Sequence, residues 1–191
     1  MTYIKQLKTD RLILRQWQDK DLPLFADINA DPLVMKYYPE VLSHHMSNGM
    51  AYKLKELIAE KSWGFWAVEI IKENKFIGFV GLHEPDYDLP VTPCVEIGWR
   101  LDSNYWGNGY ATEAASACLK FAFEELNLKD VYSFTSVSNT NSRKVMERIN
   151  MTNLRHNFEH PIIPEGHPLR LHVLYKITLD QWKNIKYGET T

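Results

Sequence analysis

Two cysteines in 191 residues, Cys94 and Cys118, are too few for a disulfide framework. The N-terminal Met1-Thr2-Tyr3-Ile4-Lys5 has no apolar signal core, so the pair reads as reduced, buried thiols of a cytoplasmic protein. No apolar run approaches the ~18 residues that a membrane span needs. One-sided charge is missing too. The 22 basic and 24 acidic residues leave a net charge of −2, whereas nucleic-acid-binding domains are usually basic, with their charge clustered. No metal is expected: the adjacent pair His44-His45 lacks a carboxylate at ligand spacing and reads as exposed. No repeat, low-complexity tract or linker divides the chain. What remains is a soluble globular protein, 45% hydrophobic and long enough to bury a good core, organised as one domain over residues 1–191.

The hydrophobic pattern predicts a first strand over residues 11–17, with Leu12 and Leu14 on one face. Asp19 then reads as the N-cap of a helix carrying Leu22, Leu24, Phe25 and Ile28, which Asp31-Pro32 ends. A second helix is predicted over 46–61, with Met50, Leu54, Leu57 and Ile58 on one stripe. Residues 63–71 and 76–82 read as a hairpin with few polar positions, so both of its faces are expected to be covered. Pro85, Pro90 and Pro93 mark a loop, and a strand follows over 95–101. Beyond a glycine turn come a helix over 111–125, a strand over 131–137 and a shorter helix over 143–149. Asn150 closes that helix, because asparagine tolerates the left-handed conformation. Residues 152–158 and 169–177 read as strands and 180–186 as a last helix. The central hairpin excludes a fully alternating parallel sheet. The order fits an α+β, three-layer fold, with a mixed, mostly antiparallel sheet of about seven strands and helices on both faces.

The glycine turn is Asp102-Ser103-Asn104-Tyr105-Trp106-Gly107-Asn108-Gly109-Tyr110-Ala111-Thr112. A strand enters it and a helix leaves it. The first N–H groups of a helix have no internal partner, and the helix dipole adds partial positive charge there, so phosphate binds without a lysine. A Walker loop would need Gly-Lys-Ser/Thr, but Gly109 is followed by Tyr110-Ala111. A dinucleotide fingerprint would need a small residue at Thr112, in the first βαβ unit of a domain. On spacing alone, an ordinary tight turn and a phosphate cradle stay equally open.

The surrounding residues carry more. The run Glu96-Ile97-Gly98-Trp99-Arg100-Leu101, followed by Asn104 to Ala114, resembles the coenzyme A-binding segment of the GNAT N-acetyltransferases. It is most similar to the branch of the ribosomal-protein N-terminal (alanine/serine) acetyltransferases. Thr9-Asp10-Arg11-Leu12-Ile13-Leu14-Arg15 is similar to that branch's opening strand, and Phe76-Ile77-Gly78-Phe79-Val80-Gly81-Leu82 to its third strand. Asn139-Thr140-Asn141-Ser142, with the helix after it, resembles its Asn-x-x-Ser element. The resemblance spans residues 9–178. Two departures stand out: Asn104 replaces the family's usual Gln or Arg, which weakens one pyrophosphate contact, and Asn150 replaces a frequent Gly.

The resemblance implies the acyl-CoA N-acyltransferase fold, acetyl-CoA as co-substrate, and direct acetyl transfer to an amine. It implies that the coenzyme lies along Ile97, Trp99 and Leu101, with its pyrophosphate on Tyr105, Trp106, Gly107, Asn108, Gly109, Tyr110, Ala111 and Thr112. Asn139 and Ser142 would meet the pantetheine end. Glu96 is the candidate general base, acting through a water; its alternative is a carboxylate paired with Arg100. Ser142 is the candidate acid for the leaving thiolate, or a plain helix cap, with Asn139 the better cap of the two. His83-Glu84 is an alternative base. Tyr37, Tyr38, Trp63 and Trp66 wall the acceptor pocket or pack the core. Arg143 and Lys144 reach a coenzyme phosphate or stay solvated. The acceptor is a small amine or a protein N-terminus, met by residues 32–47 and 160–168, and the working form is a monomer or homodimer. The competing function is a non-catalytic acyl-CoA-binding regulatory module.

Overall fold

The computed structural model describes residues 4–187, with side chains as far as residue 185; residues 1–3, at the start of the N-terminal segment considered above, lie outside it. In chain order the strands and helices are β1 (Leu7–Lys8), β2 (Leu12–Arg15), α1 (Asp21–Ala30), α2 (His44–Lys61), β3 (Phe65–Ile70), β4 (Lys75–His83), β5 (Glu96–Leu101), α3 (Tyr110–Glu124), β6 (Asp130–Ser136), α4 (Thr140–Arg148), β7 (Thr152–Asn153), β8 (Phe158–Glu159), β9 (Leu171–Thr178) and α5 (Leu179–Tyr187). Short 3-10 turns lie at Met35–Tyr37 and Ser103–Tyr105. The architecture is mixed α+β and largely antiparallel. In place of about seven strands there are six of four or more residues and three two-residue segments. The chain forms two compact units, one from residues up to His83 with Gly98–Cys118, the other from Glu84–Ile97 with the residues from Leu119 onward.

In the first unit β1, β2, β3 and β4 pair antiparallel in sequence order. Leu12 and Leu14 are fully buried, and the β3–β4 hairpin is covered on both faces, as its lack of polar positions predicts. A bulge at Val68/Glu69 faces Gly78, whose φ of +126° and whose approach to Arg100 leave no room for a Cβ. Trp17 anchors the core: its indole N–H donates to Phe65 O at 2.8 Å and its ring meets Phe25 edge-on at 4.8 Å.

Helix α1 starts two residues later than its predicted cap. Asp19 is exposed and pairs with Lys55 at 2.9 Å. Asp21 is instead the structural carboxylate, fully buried and bound by Arg15 Nη1 and Nη2 at 2.7 and 2.8 Å. Arg15 also reaches Glu69 at 2.8 Å, so one buried guanidinium ties β2, α1 and β3 together. Burial by itself lowers the Arg15 pKa, but hydrogen bonds to the two carboxylates outweigh it and the net direction is up. Helix α2 begins at His44, not Met46, because Ser43 Oγ caps Met46 N–H at 3.2 Å. His44 and His45 therefore lie in a helix's first turn, exposed, and not on a loop. The buried stripe is Ser47, Ala51, Leu54 and Ile58, rotated from the predicted one; Leu57 and Met50 are half-buried.

In the second unit β6 pairs antiparallel with β9 over seven residues, and β7 and β8 also pair with β9. The single strand predicted over 152–158 is broken into two, and Arg155 in the gap takes a φ of +55°. Asn150 adopts the left-handed conformation expected at the end of α4, with φ +62°. A small core of Leu89, Phe158 and Leu174 is extended by Tyr87, Tyr132 and Phe134. His160 and His172 join it, with ring centroids 4.8 Å apart.

Candidate active site

The glycine turn lies in the first unit. Gly107 and Gly109 both take φ +79°, and nothing lies within 4 Å of where a Gly107 Cβ would stand. Asp102 opens the turn: its Oδ1 accepts from Asn104 N–H and from Asn104 Nδ2, each at 2.9 Å. Asn104 thus folds back on its own turn. Trp106 is 44% exposed, but its indole N–H is fixed on Leu101 O at 2.8 Å. Among the described residues the N–H groups of residues 107–112 meet no acceptor; the first paired one is Glu113 N–H, on Gly109 O at 3.0 Å. Consecutive free donors leading into a helix N-terminus are chemically suited to accept an anion.

The opening strand braces this turn, which sequence reasoning did not anticipate. Arg11 Nη1 donates to Asn108 O at 3.0 Å, and Arg11 Cζ lies 4.6 Å from the centre of the Tyr110 ring. Arg11 Nε donates to Glu113 Oε2 at 2.6 Å, while Thr9 Oγ1 and Arg11 N–H donate to Glu113 Oε1 at 2.5 and 3.0 Å. Burial raises the Glu113 pKa, but these hydrogen bonds prevail and hold the carboxyl below its usual range. The signal was present in the Thr-x-Arg spacing of residues 9–11, but its partner lies about a hundred residues away.

In the second unit Glu96 begins β5, half-buried, opposite Tyr132 in the one parallel pair between β5 and β6. Tyr132 N–H donates to Val95 O at 3.0 Å. One step on, Ser133 Oγ donates to Ile97 O at 2.9 Å, so a side chain takes the carbonyl that a continuing ladder would use. Ile97 itself is buried. The Cys94 thiol is half-buried rather than buried, and burial, then the Glu96 and Asp130 carboxylates, push it up to about 11. Asn139 caps α4: its Oδ1 accepts from Ser142 N–H at 3.2 Å and its Nδ2 donates to Thr135 Oγ1 at 2.9 Å. That leaves one amide hydrogen for a ligand. Ser142 Oγ makes no hydrogen bond among the described residues. Arg143 is committed to Val137 O at 3.2 Å and Tyr175 Oη at 3.4 Å.

The model of the acetyltransferase (GNAT) domain matches residues 11–152. The chain belongs to the GNAT acetyltransferases. It is 32% identical to the uncharacterized N-acetyltransferase YnaD of Bacillus subtilis over 177 residues, covering 92% of this chain and 98% of that protein. A GNAT-family acetyltransferase from Bacillus anthracis superposes with a TM-score of 0.76 at 29% identity, over 92% of this chain and 99% of the other. The ribosomal-protein-S5-alanine acetyltransferase of Vibrio fischeri shares the fold, with a TM-score of 0.72 at 18% identity over 94% and 99% of the two chains. This acetyltransferase is an enzyme that takes its acetyl group from acetyl-CoA. The turn fits that co-substrate: its free N–H groups match a pyrophosphate, and the Gly107 position is open. Among the described residues no group of three or more His, Cys, Asp or Glu is placed to hold a metal ion, and no helix is long and apolar enough to cross a membrane.

The acceptor-side candidates of the acetyltransferase separate by burial. Trp66 is fully buried, and its indole N–H donates to Lys5 O at 2.8 Å, so it packs the core and has no surface to offer a ligand. Trp63 is half-buried, with Lys61 Nζ 5.7 Å from its ring centre. His83 stacks on Phe65 at 5.5 Å with an interplanar angle of 20°. Tyr37 is half-buried, and Tyr38 is exposed with its ring 4.1 Å from Arg100 Cζ. Of the coenzyme-side candidates, Trp99 is half-buried and Leu101, the last residue of β5, is buried. Arg100 is hydrogen-bonded to Asn29 Oδ1 at 2.6 Å in the first unit.

Proposed function

We propose that this enzyme transfers acetyl directly to a primary amine, either a small amine or a protein N-terminus, and that residues 1–191 act as one catalytic domain. The carrying observation is the braced turn with its six free donors. Acetyl-CoA brings an activated thioester; the chain's own residues bind, orient and move a proton. N–H groups of residues 107–112 hold the pyrophosphate, with the helix dipole behind them. Glu96 takes a proton from the incoming amine through a water, and its half-buried place at the start of β5 suits a base that must stay in touch with solvent. Ser142, whose hydroxyl is uncommitted, donates to the departing thiolate, which needs only modest help because free thiols titrate near ~8.5. Asn139 contributes its remaining amide hydrogen to the pantetheine arm. In this reading the sequence-predicted set stands as the site, without Trp66.

Thiol release from acetyl-CoA, followed across a panel of amines and peptides, tests the reading. Turnover with a primary amine is expected. The Glu96→Gln variant is expected to lose on the order of 100-fold in kcat at neutral pH, with acetyl-CoA affinity unchanged within about 2-fold. Unchanged turnover in that variant removes Glu96 from the mechanism; silence across the panel with coenzyme still bound removes the enzymatic reading.

A further inference from the structure

Two arginines of the first unit are almost equally buried, Arg15 at 8% and Arg100 at 7% exposure, and they are treated oppositely. Arg15 is closed by two carboxylates. Arg100 has no carboxylate in contact among the described residues: its hydrogen bonds run from Nη1 alone, to Asn29 Oδ1 at 2.6 Å and to Met50 Sδ at 3.7 Å. Asn29 is held in turn, since its Nδ2 donates to Ser47 Oγ at 2.8 Å. The Tyr38 and Phe79 rings lie 4.1 and 5.6 Å from Cζ. What remains is the edge formed by Nε and Nη2. Nε is one of two buried side-chain atoms with no partner among the described residues; the other is Asn48 Oδ1, on α2 next to Ser47.

A buried guanidinium without a counter-charge is costly, and ring contacts offset only part of the lost hydration. An orphaned buried donor in an otherwise well-satisfied structure calls for an explanation. The unused Nε–Nη2 edge is the one that accepts a carboxylate as a two-point fork. A single buried cation balances a monoanion, which favours a carboxylate over a phosphate dianion. Nε is sealed, so occupancy requires a covering side chain to move. Tyr38, exposed and outside the regular elements, is placed to do so.

We propose that Arg100 is the anion-binding residue for the acceptor: the amine this enzyme acetylates carries a carboxylate, which Arg100 takes through its Nε–Nη2 edge. This rests on the reading of the chain as an amine acetyltransferase. The test compares free amino acids with their methyl esters as acceptors, by thiol release from acetyl-CoA, and measures binding of the N-acetyl amino acids and their esters by calorimetry. Acids are expected to exceed esters in kcat/KM, and in affinity, by at least about 10-fold. Arg100→Met is expected to cut that preference to within about 2-fold while leaving acetyl-CoA affinity unchanged, and to raise the thermal midpoint, since it removes an uncompensated buried charge. Arg100→Lys keeps the charge, loses the fork, and is expected to lose most of the preference. Esters matching acids in the wild type, in turnover or in calorimetry, overturn the proposal while the acetyltransferase reading stands. A preference that survives in both variants overturns the assignment to Arg100. If no amine is turned over, the acetyltransfer reading falls, and calorimetry still decides the carboxylate question.

Discussion

Replacing Arg11 by alanine should weaken acetyl-CoA binding without touching the chemistry. Arg11 ties the opening strand to the turn through Asn108 O, and to α3 through Glu113. The side chains of the pair are 45% and 19% exposed, so the ion pair is credited with about 1 kcal/mol and not the full value of a buried one. The hydrogen bond to Asn108 O adds about 0.5–1.5 kcal/mol. Together they order the turn by about 1.5–2.5 kcal/mol, an ordering cost that the coenzyme must supply in the variant, or about 10–70-fold in Kd. A second effect has the same sign: Glu113, in the first turn of α3, loses its main neutralising partner beside the anion site. Thr9 Oγ1 and the residue 11 N–H continue to hold it. Initial rates at varied acetyl-CoA should show KM raised by about that factor, with kcat within about 2-fold. Glu113→Gln in the same background should recover part of the loss at low salt. A fall in kcat at unchanged KM, or no change in either, would refute the bracing argument.

The remaining expectations concern stability. Asp21→Ala leaves Arg15 with one carboxylate in place of two and should cost about 3–5 kcal/mol, seen as a lower urea midpoint at unchanged m; a loss below about 1 kcal/mol would mean that Glu69 alone satisfies the guanidinium. The His160 imidazole, packed against Phe134, Phe158, Tyr87 and His172, is pushed down to about 4 by burial and then by His172; burial lowers His172 as well. The folded state therefore takes up its His160 proton later than the unfolded chain, so this contribution is complete above about pH 6.5. It is lost as pH falls toward 4, by up to on the order of 3 kcal/mol. The ion pair of Arg170 with Glu159 flanks this cluster, so His160→Phe is the control: its stability curve should be flatter across that window.

Local grammar was legible where one stretch of chain decides the outcome. Two glycines one residue apart gave the turn its positive φ values, and Asn139 and Asn150 marked the two ends of α4. The apolar hairpin announced a strand pair covered on both sides. Boundaries failed where a distant partner outbids local propensity. Asp19 looked like a cap, but Asp21 is the carboxylate drawn inward by Arg15 across a short loop. The stripe of α2 rotated because Ser47 faces inward to bond Asn29, which no hydrophobic period anticipates. Residues 152–158 split because β9 pairs with both fragments around a left-handed Arg155.

The candidate site divides in the same way. Strand, glycine turn and helix are contiguous, so the orphaned N–H groups at the start of α3 were legible from the order of residues, while those of residues 107–109 were seen only in the structure. Family membership rests on motifs of this contiguous kind, and so does the acetyl-CoA requirement. What holds the turn in place, and how the buried Arg100 is surrounded, depend on residues far apart in the chain: Thr9 and Arg11 on Glu113, Arg100 on Asn29 and Tyr38. Charge balance is a property of what surrounds a side chain in space. The sequence by itself determined that a glycine turn joins a strand to a helix N-terminus, because these pieces are contiguous; only the tertiary structure decided that one buried arginine is neutralised and the other is not, because charge balance depends on distant residues.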